Sequence, residues 1–196
     1  MRISKSIAAV LSGVALAAAA PALAEDPLPG MTPPKPDLTA GEGMGAFMKA
    51  LLVGCLQSLE QQKPIAELDA GFRTDLVPAT PQERGFQSGK DASVAVWSSK
   101  TLGSHLAVIE TSAQRCDVRA DQLPVERTFQ STIGALTHVM PDFQAVPQKP
   151  GYNPIVYQYE ADRDGAHYVI HMEGAEPGGF GHASRFSLLS GWVTRK

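Results

Sequence analysis

Cysteine, aromatic residues and charge are all scarce: two cysteines, 7% aromatic and 19% charged residues in a chain of 196. Glycine (18 residues) and proline (15) follow no period, which excludes a collagen-like fibre, and 43% hydrophobic residues exclude a disordered chain. No apolar run reaches the roughly 20 residues of a spanning helix, which excludes a multi-span membrane protein. No Lys/Arg cluster breaks the mildly acidic balance of −3. Without a positive patch there is no electrostatic reason to bind nucleic acid or an anionic membrane surface. One ordinary soluble domain is what remains.

The N-terminus carries a targeting pattern. Arg2 and Lys5 lead into an Ala/Val/Leu run from Ile7 to Ala20 that ends at Ala22-Leu23-Ala24 before Glu25. This is the pattern of a secretory signal peptide over residues 1–24 with a small-x-small cleavage site. At about 14 residues, and interrupted by Pro21, the run is too short for a stable membrane anchor. The expected localisation is therefore periplasmic or secreted. In that oxidising setting an isolated pair, Cys55 and Cys116, is expected to form a disulfide. It would close a loop of about 60 residues, for which the chain-entropy estimate is on the order of 4 kcal/mol. No C-x-x-C spacing supports a redox role. Leu52-Val53-Gly54-Cys55 has the outline of a lipidation site, but it lies past a complete signal and follows Glu42 and Lys49 where an apolar region is needed.

Residues 25–43 contain Pro27, Pro29, Pro33, Pro34 and Pro36 with little to bury, and read as an extended, flexible leader. A single α+β domain is expected over residues 44–196. Met48, Leu51, Leu52, Cys55, Leu56 and Leu59 recur at helical steps, predicting an amphipathic helix from Met44 to about Gln62. A short helical piece is expected over Ile65 to Phe72 and an irregular connection over residues 73–91. Strands are predicted at Ala92 to Ser98, His105 to Thr111 and Arg115 to Ala120, then a second amphipathic helix from Pro124 to Met140. Ile155 to Glu160, Ala166 to Met172 and Ser184 to Thr194 complete a second triplet, with Asp162-Arg163-Asp164-Gly165 as a hairpin turn. The expected architecture is a largely antiparallel sheet of about six strands in two triplets, with two amphipathic helices packed on one face. Pattern alone leaves open whether the triplets share one sheet.

The residues richest in chemistry are His167, His171, Glu173 and His182, together with the glycines from Gly174 to Gly181. On a helix, His167 and His171 would share a face as metal ligands. Tyr168, Val169 and Ile170 favour a strand, on which residues four apart lie about 13 Å from one another, so no metal is expected there. The strand reading puts His167, Val169, His171 and Glu173 on one face and Tyr168, Ile170 and Met172 on the core side. The first face reads as a solvated outer face, with His167, His171 and Glu173 as candidate catalytic residues should it line a groove. Gly178, Gly179 and His182 are candidate ligand-binding residues in a loop whose glycines a hairpin would equally require. Trp192 alternates with Phe186 and Leu188, which predicts burial in preference to sugar stacking. Gly85-Phe86-Gln87-Ser88-Gly89 places its serine one position late for a nucleophile elbow. Gly89-Lys90-Asp91 lacks the Ser/Thr of a phosphate loop. Asp162 with Asp164, and Glu173 with Glu176, sit in turns or at strand ends and form no glycosidase cleft. No cofactor is expected.

Taken together, the export signal, an early helix bearing Cys55, a strand triplet bearing Cys116 and the strand end Trp97-Ser98-Ser99 resemble small uncharacterised exported proteins of Gram-negative bacteria with one disulfide. The resemblance covers most of the chain after the signal and implies a periplasmic location, with no activity attached. The leading expectation is a domain that binds an envelope component or small molecule without turning it over. The rival is a small periplasmic hydrolase using the His/Glu face, with a histidine as general base. A third reading has the Pro-rich leader docking a partner. Intact mass spectrometry of the chain recovered from a bacterial periplasm is expected to return residues 25–196 with both cysteines oxidised. A mass that retains residues 1–24 would overturn the export reading.

Overall fold

A computed structural model describes residues 40–71, 75–88, 94–147, 155–177 and 187–196. Residues 1–24, expected as a signal peptide, and all but the end of residues 25–43, expected as a flexible leader, lie outside these residues. The fold is α+β, built on one eight-stranded antiparallel sheet. Its strands are β1 (Leu76–Pro78), β2 (Ala95–Ser99), β3 (Gly103–Ser112), β4 (Arg115–Asp121), β5 (Gln144–Ala145), β6 (Ile155–Arg163), β7 (Ala166–Ala175) and β8 (Leu188–Arg195). Their spatial order is β1-β2-β3-β4-β8-β7-β6-β5. The two expected triplets are joined into one sheet because β8 inserts between β4 and β7. Two short edge strands, β1 and β5, raise the count above the six expected.

The first helix begins at Ala40, before the expected Met44. It runs as α1 (Ala40–Met48), a π-helical stretch (Lys49–Cys55) and α2 (Leu56–Gln61). In the π stretch the backbone bonds reach one residue further, as in Leu56 N–H to Leu51 O. That winding turns Ala50, Leu51, Leu52, Gly54 and Cys55 inward together. Cys55 meets Cys116 of β4 in a disulfide across 61 residues, with both cysteines buried. A later helix, α4 (Val125–Val139), has no side-chain cap. Its first free N–H, on Val125, donates instead to Glu176 Oε1 at 3.0 Å. Both helical segments cover the same face of the sheet. Phe47, Leu51 and Leu56 join Phe129 and Leu136 over Val108, Val118, Ile170, Met172 and Val193.

A third helix departs from expectation. Residues 73–91, read as irregular, contain β1 and α3 (Pro81–Ser88). Thr80-Pro81-Gln82-Glu83 is a capping box with proline at the first helical position. Glu83 N–H donates to Thr80 Oγ1 at 3.3 Å, and Glu83 Oε2 accepts from Thr80 N–H at 2.8 Å. That backbone bond is the leading cause holding the Glu83 carboxyl below its ordinary range. α3 packs against β2 and β3 on the face opposite the other helices, where Ala79, Val96, Ala107 and Ile109 form a separate small core. Of the helical piece expected over Ile65 to Phe72, the described residues hold one 3-10 turn, Ile65–Glu67, and Phe72 lies outside them.

The β6–β7 hairpin turns on Asp164 and Gly165, at φ 49° and 76°, a two-residue loop with both residues left-handed as the strand twist demands. Beside it Arg163 ties three elements together. It donates to Glu60 of α2 at 2.6 Å, forks onto Asp142 after α4, and lies 4.8 Å over the Phe143 ring.

Close helix–sheet approach rests on two glycines. A Cβ at Gly174 would lie 2.6 Å from Val125 Cγ1 and 3.0 Å from the Leu188 carbonyl, and one at Gly191 would lie 3.0 Å from Leu51. Gly174→Ala is expected to cost about 1–3 kcal/mol, because the Leu188 carbonyl is ladder backbone and cannot swing aside. Gly134→Ala, on the exposed side of α4 with nothing within 4 Å, is expected to stabilise by up to about 1 kcal/mol. Urea melts of the two variants check the contrast, and equal effects would overturn the packing argument.

Candidate functional site

Alternation along β7 sends Tyr168, Ile170 and Met172 into the core and His167, Val169, His171 and Glu173 to the outer face. α3 covers the outer face of β2 and β3 at Val96, Ala107 and Ile109. Over β4, β8, β7 and β6, half-buried and exposed polar groups alternate with the core positions.

At the centre of this area three side chains from three adjacent strands stack. Trp192 of β8 lies against the His171 ring of β7, with centroids 4.0 Å apart and planes at 19°. From the other side, across β4, the Arg115 guanidinium carbon lies 5.0 Å from the Trp192 ring. Arg115 is aimed by a two-pronged bond to Asp117, 3.0 Å from Nε and 2.7 Å from Nη2 to Oδ1. The Thr111 hydroxyl donates to the other Asp117 oxygen. This bond to Asp117 is the main cause raising the Arg115 pKa above its ordinary value. The Asp117 side chain is only 11% exposed, whereas Arg115 is 43% exposed, so the anion is the buried strut and the cation the part that meets solvent.

His171 sits opposite Gln158 of β6, with Glu173 Oε2 3.6 Å from its Nε2. That separation is beyond a hydrogen bond, and the buried Nε2 makes none within the described residues. Burial pushes the His171 pKa down. Glu173 opposes the shift and Arg115 adds to it, so the ring is neutral near pH 7.

The structure keeps the two strand histidines apart. His167 belongs to the hairpin end, with Nδ1 2.8 Å from Asp162 Oδ1 and Nε2 3.7 Å from Glu160. His171 belongs to the stack. Among the described residues no group of three or more His, Cys, Asp or Glu side chains is placed to hold a metal. No described helix is long and apolar enough to cross a membrane. Gly178, Gly179 and His182 lie outside the described residues. Cys55 and Cys116 are core groups. Trp192 corrects an expectation: it faces outward with Leu188, which is 44% exposed, because the inward positions of β8 are Leu189, Gly191 and Val193. Arg115 and Asp117 were not expected at a site, and their i, i+2 spacing on a strand was the available clue.

Protein-family models, curated proteins and solved structures were compared with the chain, and none matches.

The neutral state of His171 has a pH consequence. Its folded-state pKa lies below the unfolded value of about 6.5, so the unfolded chain takes up the proton first as pH falls. Stability from this site is present above about pH 6.5 and is lost as pH falls through the folded-state value. The groups facing the ring are Glu173 on its own strand, Gln158 from β6, Trp192 from β8 and, beyond the indole, Arg115 from β4. The low-lying carboxyls, Glu83 and Asp142, act below their ordinary values of 4.5 and 3.8. Melting temperature is expected to fall between about pH 7.5 and about pH 5.5, and His171→Gln to flatten that fall. Parallel curves for the two proteins would assign the effect to another group.

Proposed function

We propose that the chain is an exported domain, periplasmic or secreted, that binds an envelope component or a small molecule through the part of its outer face that no described residue covers, and does not turn it over. The observation that carries this reading is the Arg115–Trp192–His171 stack. Its side chains stand on rigid strands and hold one another, with Asp117 fixing Arg115, so little rotamer freedom is left to lose on contact with a partner. The indole is engaged by His171 and Arg115, which reach it from the strands on either side, β7 and β4. Recognition on this surface therefore falls to the exposed cation of Arg115, the carboxylate of Glu173 and the ring edges. The Cys55–Cys116 bridge supports the reading by fastening the helical layer to β4, the strand that carries Arg115.

One observation favours a second reading, a small hydrolase on the same face: burial holds His171 in the neutral form a general base needs. The two readings separate experimentally. A photo-crosslinking residue at Ser190, on the outer face between Arg119 and Glu173, is expected to give adducts in the bacterial envelope that disappear on Trp192→Ala. The same residue at Arg127, on the exposed side of α4, is expected to give none. Equal yields from both positions, or yields unchanged by Trp192→Ala, would overturn the binding-face reading. Turnover of p-nitrophenyl esters that His171→Ala abolishes while leaving the fold intact would favour the hydrolase.

A further inference from the structure

We propose that the chain has a second binding site, for a small organic carboxylate, in the groove at the open end of the sandwich between the end of α2 and the β3–β4 turn. The groove has a volume of about 560 Å³, within the range of small-molecule sites. It lies on the helix side of the sheet, separate from the outer face.

Its charge is set by three groups. Lys63 and Arg195 line it as cations, and among the described residues Glu110 is the one carboxylate in its lining. Both oxygens of Glu110 are already engaged: Oε1 accepts from Ile65 N–H at 2.7 Å and Oε2 from the Trp97 indole N–H at 2.8 Å. Glu110 is thus a structural anchor, and the two cations dominate what a ligand meets, on a chain whose net charge is −3. Leu59 and Pro64 supply an apolar wall beside them.

Arg195 is aimed. Its Nε donates to the Tyr168 hydroxyl at 3.2 Å, and its backbone N–H donates to Gln114 O at 2.9 Å. The fork of its guanidinium is occupied by a neutral group. The Gln62 amide, turned so that its oxygen faces Arg195, accepts from both Nη atoms at 2.6 Å. One oxygen bridging both Nη atoms stands where a carboxylate of a ligand would pair. Gln62 also closes α2 at φ 54°, a left-handed position that favours glycine or asparagine. A long amide held in that conformation, with its oxygen in a guanidinium fork, is an internal stand-in for an anion. A carboxylate makes the stronger, charge-assisted bond and displaces it, with Lys63 as the second cation and the ligand's apolar body against Leu59 and Pro64.

The test is titration of the oxidised chain with 4-fluorobenzoate, followed by fluorine NMR, with 4-fluorobenzamide as the uncharged twin. Saturable binding of the acid and none of the amide is expected. Arg195→Gln should weaken it roughly tenfold or more, and Lys63→Gln severalfold. Gln62→Gly relieves the backbone and empties the fork, so it should tighten binding severalfold, a gain that nonspecific attraction would not produce. Circular dichroism checks the fold of Arg195→Gln, and Lys63→Gln serves if that variant does not fold. Equal binding of acid and amide, an unchanged affinity in folded Arg195→Gln or in Lys63→Gln, or no saturable signal with either the parent chain or Gln62→Gly would overturn the proposal.

Discussion

Everything described depends on one insertion: the last strand, β8, pairing with β4 on one side and β7 on the other. The β4 ladder runs from Arg115 opposite Thr194 to Asp121 opposite Leu188, so it joins parts of the chain some seventy residues apart. Without that ladder the two triplets would be separate small sheets, each with an open edge. With it, Trp192 arrives between Arg115 and His171, and Gly191 arrives on the other face beneath Phe47 and Leu51. Loop closure of this kind is slow and costly in entropy. The Cys55–Cys116 bridge closes a different, earlier loop and lowers the entropy cost of folding there. It ties the first helix to β4, and on the chain-entropy account it contributes on the order of 4 kcal/mol, a large share of a small domain's net stability.

The two faces of the sheet are solved differently. The inner face is largely apolar, and the helices come close because Gly174 and Gly191 leave room for Val125, Phe129 and Leu51. The outer face is divided. Where α3 lies, the strand residues are Val96, Ala107 and Ile109; where nothing among the described residues lies over it, charged, polar and aromatic residues predominate, with Val169 among them. Cationic and imidazole side chains there stand beside carboxylates: Arg115 with Asp117, His105 with Asp121 at 2.6 Å, His167 with Asp162, and His171 with Glu173. Exposed pairs of this kind contribute little stability, so their main physical effect is to fix side-chain directions.

How much of this was legible in the sequence depended on the length of each pattern. Within the described residues the six longer strands and α4 overlap their expected ranges because each holds its period over several residues, while Ala92, Ser93 and Ser184 to Phe186 of the expected strands lie outside the described residues; the Asp164-Gly165 turn has the residue types that left-handed φ favours. β1 and β5, at three and two residues, are too short to show alternation. α3 has no apolar stripe, and its only marks are Pro81 and the Thr80/Glu83 box. The side of β8 was misread for a specific reason. Its outward set includes Leu188 and Trp192, while its inward set includes Gly191, whose place in the core is filled by Leu51 and Phe47 from the helix. An apolar count gives the core to the wrong face when the sheet lends its volume to a neighbour. His167, His171 and Glu173 were legible as sharing a face, but strand spacing kept His167 from joining the other two. Arg115 reaches the stack only through the β4–β8 ladder, which no local pattern encodes.

The stack also bears on the choice between binding and catalysis. A general base must come within hydrogen-bonding reach of the proton it removes. His171 is neutral, as a base should be, but its Nε2 is enclosed, with Trp192 against the ring and Glu173 at 3.6 Å. A substrate would have to part the ring from the indole or displace Glu173 before proton transfer at that atom. Arg115 and Glu173, each 43% exposed, need no such rearrangement to meet a partner of complementary charge. The same packing that keeps His171 uncharged therefore encloses its Nε2 and leaves the flanking ions on offer, which supports the proposed recognition surface over the proposed hydrolase.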